Sequence, residues 1–142
     1  DAFTVVAGVA TALNVALTEA FVYDLVGDGQ VLVEDMASDR SAGTTTVTQT
    51  TTALLQKIDV VTSAEMKLIA NGYPQAVVLS KDGNYHVVGL EEGIDFLVNS
   101  TTGGTQAEFN GYTLTGTSTE KELGAILDAS TVTAFLAIVA AN

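Results

Sequence analysis

The segment of the chain richest in threonine is TTTVTQTTT at residues 44–52. Threonine and valine branch at the β-carbon, which restricts the side chain and favours strands over helices. The run therefore predicts one long or bent strand from Thr44 to Val61, long enough to project beyond a compact body. It indicates a mainly β chain.

Length and composition permit one folded domain. The chain has 142 residues, of which 47% are hydrophobic and 15% are charged. This is enough apolar surface for a core, and it argues against intrinsic disorder. We therefore expect a single structural domain over residues 1–142, folded as an antiparallel β-sandwich or barrel-like subunit with one short helix.

The residue types present exclude most catalytic chemistry. Cysteine is absent and His86 is the only histidine. Disulfides, thiolate zinc sites, iron–sulfur clusters and cysteine nucleophiles all need cysteine, and a Ser-His-Asp arrangement would depend on this one histidine. His86 follows a predicted turn, a position more typical of a half-exposed strand residue. We predict no enzyme activity, no catalytic residue and no cofactor.

Carboxylates give no better candidate. The adjacent pairs at 34–35 and 91–92 would point to opposite faces of a strand, whereas a glycosidase-like pair must face one cleft. Asp24, Asp28 and Glu34 loosely suggest calcium, but they lack the D-x-D-x-D-G spacing of a dedicated loop. We therefore predict no metal site.

The charge limits the partners. Five Lys/Arg against 17 Asp/Glu give a formal net charge of −12. Nucleic-acid binding depends on clustered basic residues, and an anionic membrane repels an acidic chain. We expect neither specific nucleic-acid binding nor membrane association, although an acidic surface would suit a passage through which DNA moves without sticking.

Both ends of the chain are apolar and uncharged, over residues 2–18 and 129–142. The first has no basic n-region and contains polar residues, so it predicts neither a secretory signal nor a spanning helix. Such ends must be buried under the domain's own core or against a neighbouring copy. Both alternatives stay open, and we expect Phe3–Val9, Phe135–Val139, or both, together with strand edges, to contact adjacent copies of a homo-oligomer.

Local patterns predict the elements of the N-terminal part. Phe3–Val6 has the composition of a strand, and the apolar spacing between residues 12 and 20 allows a helical turn. Phe21–Leu25 and Gln30–Glu34 flank Val26-Gly27-Asp28-Gly29, which predicts a hairpin. Residues 37–43 read as a polar loop.

A short helix is predicted over about residues 63–71. Thr62 and Glu65 have the spacing of a capping box, Val61 and Met66 that of a hydrophobic staple, and Asn71-Gly72 ends the helix before Pro74. Its predicted apolar stripe consists of Ala64, Leu68 and Ile69.

The segment after this helix has the strongest hairpin signal. Gln75–Ser80 and Tyr85–Leu90 flank Asp82-Gly83, which suits a two-residue type I′ turn. Such a turn would place Ser80 opposite Tyr85 and Val78 opposite Val87.

The C-terminal part predicts four further elements. Ile94–Val98 and Gly111–Thr117 read as strands, the second with Tyr112 and Leu114 on a buried face. Thr119 and Glu122 repeat the capping-box spacing, which predicts a helical turn near residues 120–127. Val132–Val139 allows either strand or helix, and its β-branched residues favour a strand.

Two segments carry a family resemblance. NGYPQAVVLSKDGNYHVVGLEEGIDF at residues 71–96 and FNGYTLTGTSTEKEL at residues 109–123 resemble small virion structural proteins of tailed bacteriophages, particularly those of Bacteroidetes hosts. The matching residues lie in a V-x-K-D/N-G-x-Y-x-x-x-G hairpin and a G-Y-T-L-T strand; they are Lys81, Asp82, Gly83, Tyr85, Gly89 and Gly111, Tyr112, Thr113, Leu114, Thr115. The likeness covers about residues 44–127.

The resemblance implies a β subunit that repeats in a symmetric assembly within a virion, as a tail-tube or ring subunit. Its partners would be further copies and other virion proteins, and no catalytic residue carries over. The alternatives are a capsid-decoration or fibre protein, or another extracellular surface-binding module. A small ligand-binding domain or hydrolase is the third alternative.

Overall fold

The structure, a computed structural model, describes residues 2–14, 17, 20–25, 27–56 and 58–141. It is mainly β, with 43% of the described residues in strands and 19% in helices, and its two sheets and two helices are consistent with a β-sandwich carrying a short helix. The predicted fold class is confirmed.

The elements follow one another as β1 (Phe3–Val6), β2 (Val9–Leu13), β3 (Val31–Asp39), β4 (Thr44–Gln56), α1 (Val60–Gly72), β5 (Ala76–Leu79), β6 (Tyr85–Val88), β7 (Asp95–Thr101), β8 (Gly111–Glu120), β9 (Ile126–Leu127) and α2 (Ala129–Ala141). A five-stranded sheet has the spatial order β1-β2-β9-β6-β5, and a four-stranded sheet has the order β3-β4-β8-β7. All neighbouring strands are antiparallel except β2 and β9.

Each sheet has its own apolar cluster. On the five-stranded sheet, Phe3 and Leu127 are buried with their neighbours, and α2 covers them, with the rings of Phe3 and Phe135 6.0 Å apart. On the four-stranded sheet, Met66 of α1 packs on Tyr112 and Leu114 of β8. One helix therefore covers one face of each sheet.

The structure resolves the alternatives for the chain ends only in part. Phe3 and Ala10 are buried in the core of this same chain, and Phe135 packs against that core. Val6 and Val9 remain exposed on the opposite face of the sheet. The contact of these ends with adjacent copies stays a prediction.

The helix prediction is confirmed, including its end at Gly72, but the predicted N-cap is wrong. The N-cap is Asp59, whose side chain accepts a hydrogen bond from the Thr62 N–H at 2.8 Å, and Glu65 accepts one from the Tyr23 hydroxyl. Aspartate caps as well as threonine, so the helix begins three residues earlier than the capping box suggests. Burial and Glu65 together raise the pKa of Tyr23.

The face that α1 buries also differs from the predicted stripe. Met66 and Ile69 pack on the sheet, whereas Ala64, Leu68 and the staple residue Val61 are exposed. The position of Tyr112 and Leu114 decides the buried face, and the sequence of the helix alone does not reveal it.

The hairpin of β5 and β6 is present, but its predicted register is wrong by one residue. Leu79 lies opposite Tyr85 and Val77 opposite Val87. Among the residues at the turn, only Gly83 has a positive φ, +90°. The Ser80 N–H donates to the Asn84 carbonyl at 2.9 Å, so this closing pair leaves three loop residues, 81–83, with one left-handed position, and the connection is not a two-residue type I′ turn.

The first half of the four-stranded sheet corrects three predictions. Phe21–Leu25 forms no strand, and β3 pairs with the following β4, so no hairpin forms around residues 27–29; Val26 lies outside the described residues. Residues 37–39 belong to β3, and only 40–43 form the turn. Strand β4 ends at Gln56 and lies between β3 and β8, so it does not project as an arm.

The predicted helical turns are not found in the described residues of either segment. Thr119 lies in β8 and Ile126 in β9, so residues 120–127 are not helical. Ala12 and Leu13 belong to β2, and residues 15, 16, 18 and 19 lie outside the described part of the chain.

The segment Val132–Val139 lies inside α2, so the strand prediction is wrong. Alanines, the best helix formers, intersperse its β-branched residues. Asp128 accepts a hydrogen bond from the Thr131 N–H at 2.7 Å, in the manner of an N-cap.

Candidate assembly surface

The four-stranded sheet ends in two long outer strands. Strand β3 has nine residues and β7 has seven, and neither contains Lys, Arg or Pro. Among the described residues no further strand pairs with their outer edges. Such edges present unpaired N–H and C=O groups, which favour addition of another strand.

The two outer strands run in opposite directions. β3 is antiparallel to β4, β4 to β8 and β8 to β7. A sheet with an even number of alternating strands always has this property. When a second copy is placed beside the first by rotation, its β3 therefore lies antiparallel to β7 of the first.

One face of this sheet carries α1 and meets the five-stranded sheet. Met66 of α1 packs there on Tyr112 and Leu114, and the buried side chain of Gln49 on this face meets the five-stranded sheet. We call it the core face. The opposite face carries alternate residues of the same strands.

The opposite face is rich in threonine, and we call it the threonine face. On β4 and β8 its threonines lie opposite one another in the pairs Thr48–Thr119, Thr50–Thr117 and Thr52–Thr115. Asp35 and Asp95 lie on the outer strands beside these rows. The face is hydroxylated, with acidic groups near its edges.

Apolar side chains are exposed along both outer edges. Val31, Val33 and Leu97 lie on the threonine face, and Leu97 is 63% exposed. Met36 lies on the core face at the β3 edge and is 56% exposed, although Val47, directly opposite on β4, is fully buried. Exposure of large apolar residues beside an open edge is typical of a contact surface.

Buried polar bonds join the two sheets. The Gln49 side chain, 1% exposed, donates to Glu34 Oε1 at 2.7 Å and accepts from the Gly89 N–H at 3.0 Å. Glu34 Oε1 also accepts from the Gly124 N–H at 2.6 Å. Gly124 lies two residues before β9. The Glu34 carboxylate of β3 therefore anchors the segment that leads into this strand of the five-stranded sheet.

A second carboxylate makes a similar link. Glu120, buried at the end of β8, accepts from the backbone N–H groups of Glu91 and Glu92 and from the Ser118 hydroxyl. Lys121 pairs with Glu91 at 3.0 Å, and that bond and charge raise the pKa of Lys121. These bonds hold the segment between β6 and β7 against β8.

A shallow groove of about 370 Å³ lies between α1 and the core face near the β7 edge. Its polar lining includes Lys67, Ser100 and the Ser63–Tyr112 pair, whose hydroxyl oxygens are 2.5 Å apart. His86 lies in β6 of the other sheet, opposite Val78 and Ile126. The structure does not bring this histidine to the Ser63 hydroxyl.

The carboxylates considered for calcium are not gathered either. Glu34 Oε1 bonds to Gln49 and Gly124, and no cluster of three or more His, Asp or Glu suited to a metal ion occurs in the described part of the chain. No helix among the described residues is both long and apolar enough to cross a bilayer.

Comparisons with protein-family models, with curated proteins and with solved structures found no match to this chain. Sequence reasoning missed the links made by Gln49, Glu34 and Glu120, because nothing local marks a polar residue as buried. The alternation of threonine in TTTVTQTTT and GYTLTGTST is the signal that could have revealed the threonine face.

Proposed function

We propose that this chain is a structural protein of a tailed-bacteriophage virion, most specifically a subunit whose copies join into a ring or tail tube. The observation that carries the proposal is the pair of long outer strands, which run in opposite directions at the two edges of one sheet. Rotation about one axis would join these edges repeatedly and close a ring.

The position of the other elements supports one orientation in such a ring. The core face carries α1 and the five-stranded sheet, so it needs the larger circumference and belongs outside. The threonine face would then line the channel. Hydroxyl and carboxylate groups on that lining would give the DNA backbone no cation to bind.

A capsid-decoration or fibre role is the second candidate, and α2 favours it. This helix carries no charge, and Leu136 is exposed while Phe135 packs on the core. An uncharged helix with apolar residues on its outer side suits attachment to a lattice of other proteins. Electron microscopy would show rings or tubes for the first role and isolated subunits for the second.

The test compares two substitutions of equal chemistry. Val33→Lys places a cation on the open edge of β3, where Val33 is 41% exposed, whereas Leu68→Lys places one on α1, where Leu68 is 73% exposed. We expect edge lysine to abolish oligomers in sedimentation and rings in electron microscopy, because lysine protects edges from pairing. Assembly by both variants, or a monomeric wild-type protein at high concentration, would contradict the proposal.

A further inference from the structure

The open edges of the four-stranded sheet also restrict how two copies can meet. On both outer strands, odd-numbered residues lie on the threonine face and even-numbered residues on the core face. A slip of one residue in the pairing would turn every side chain of one copy to the wrong face. Directly opposite residues of β3 and β7 must therefore both be odd or both be even.

Only two registers satisfy this condition and pair the whole of β7. Thr101 lies opposite Val31 in the first and opposite Val33 in the second. The second register places Asp95 opposite Asp39, and like charges directly opposite each other destabilise a strand pair. The first places Asp95 opposite Ala37, so no two carboxylates face each other.

The first register also covers the exposed methionine. It places Met36, 56% exposed on the core face of β3, opposite Phe96 of β7. Phe96 already packs against the cluster of Met66, Tyr112 and Leu114. Met36 faces solvent in the isolated chain. In the pair of copies, Met36 of one copy would extend the apolar layer beneath Phe96 of the other across the joined edges.

The open edge of β3 pairs more favourably with β7 of a second copy than with β3 of a second copy. Pairing β3 with β3 would bring the carboxylates of Glu34, Asp35 and Asp39 from both copies, six in all, into one two-stranded ribbon. Pairing β3 with β7 brings four, because β7 contributes only Asp95. In a chain of net charge −12, the less acidic pairing is favoured.

We propose that β7 of one copy pairs with β3 of the next in the register that sets Asp95 opposite Ala37, Phe96 opposite Met36 and Asn99 opposite Val33. This register rests on the function proposed above, and it specifies the contact between subunits. It continues the alternation of faces and directions from one four-stranded sheet into the next.

Cysteine pairs test the register directly, because the chain has no native cysteine. In the Val33→Cys/Asn99→Cys variant the two Cα atoms would lie about 4.5–5.5 Å apart between copies, within disulfide range. Within one chain, β4 and β8 separate them by about three strand spacings, roughly 14 Å, so no internal bond can form. We expect a ladder of covalent oligomers on a non-reducing gel.

The matched control is Asp35→Cys/Asn99→Cys, which fits the rejected register. In the proposed register its Cα atoms are diagonal neighbours at about 7–8 Å, too far for an unstrained disulfide, and we expect loss of the ladder. A stronger ladder from this control would overturn the proposed register. Covalent dimers from Val33→Cys or Met36→Cys alone would indicate β3 against β3 and would also overturn it.

Sedimentation of the same samples under reducing conditions separates this register from the proposed function. Oligomers without a ladder from either double variant would overturn the register while leaving assembly intact. A protein that sediments only as a monomer would overturn both. Both double variants alter exposed positions, so they should fold as the wild type does.

Discussion

At the residue scale, buried polar side chains decide how the two sheets meet. Gln49 satisfies both of its neighbours, the Glu34 carboxylate and the Gly89 N–H. Thr51, two residues further along β4 and 9% exposed, has a buried hydroxyl oxygen that finds no hydrogen-bond partner among the described residues. Strand β4 therefore carries one well-satisfied polar group and one that costs stability.

Thr51→Val should stabilise the protein. Valine keeps the branched shape and removes the unpaired hydroxyl, for an expected gain of about 1 kcal/mol in the free energy of unfolding. Thr50→Val, on the threonine face, is the control and should change little. Chemical denaturation measures the free energy of unfolding of both variants. A Thr51→Val protein that is less stable than the wild type would indicate that the hydroxyl has a partner.

The helix cap gives a second test of single residues. Asp59→Ala should cost about 1 kcal/mol and reduce hydrogen-exchange protection in the first turn of α1, because the Thr62 N–H loses its acceptor. Thr62→Ala is the control, since its hydroxyl is not the cap. Equal losses from both variants would contradict Asp59 as the N-cap.

At the scale of elements, two glycines separate backbone strain from steric contact. Gly83 and Gly93 both have positive φ, but an added Cβ meets nothing at Gly83 and meets the Tyr73 backbone at Gly93. Gly83→Ala should cost about 1 kcal/mol from strain alone. Gly93→Ala should destabilise the protein more, because the Tyr73 backbone must move to make room for the Cβ. Equal midpoints of the two variants in thermal unfolding would contradict the close approach of Tyr73 to Gly93.

The start of α2 predicts a pH dependence. Hydrogen bonds from Thr131 and Ser130 hold the pKa of Asp128 below its ordinary value of 3.8. The unfolded chain then binds the proton more readily, so this contribution to stability is present above about pH 4 and is lost as the pH falls through the folded pKa. Asp128→Asn still accepts the bonds but cannot titrate.

The unfolding midpoint of Asp128→Asn should therefore fall less than that of the wild type between about pH 5 and pH 2. Thermal unfolding across this range measures the difference. Parallel curves for the two proteins would indicate that the bonds to Asp128 do not change its proton affinity.

These elements also show what the sequence could predict. Alternation identified the buried face of β8 through Tyr112 and Leu114, since a strand pattern is local. The turn glycine Gly83 was identified, but the register was not, because two- and three-residue loops share the same Asp-Gly signal. Segment 132–139 became helix because packing against the core of Phe3 outweighs β-branching.

The candidate assembly surface could be identified only from the fold. Nothing in β3 or β7 alone reveals that they are outer strands, since that depends on β8 pairing with β4 across the chain. The expectation of contacts through strand edges could be formed from sequence, but not the identity of the edges.

At the scale of the whole molecule, the net charge and the threonine face together predict how DNA behaves near the proposed assembly. The wild-type protein should show no measurable affinity for duplex DNA at about 0.1 M salt. Thr50→Lys/Thr117→Lys places two cations opposite each other on the threonine face and should create salt-sensitive binding. Ala64→Lys/Leu68→Lys, with the same charge on α1, is the control.

In the proposed ring, only the lysines on the threonine face should slow the passage of DNA. Electrophoretic mobility of DNA with rings of each variant measures this. DNA binding of equal strength by both lysine variants would contradict a channel lined by the threonine face. Micromolar DNA binding by the wild type would contradict the proposal that DNA passes the acidic surface without binding.

The central place of β4 has a consequence for synthesis on the ribosome. Strand β3 follows directly into β4, so their hairpin can form early, but the partner on the other side of β4 arrives only with residues 111–120. At about 5–20 residues per second, the nascent hairpin waits several seconds with the uncharged edge of β4 unprotected. Slowed translation between residues 57 and 110 should therefore increase misfolding during expression, whereas chaperone capture during that interval should reduce it.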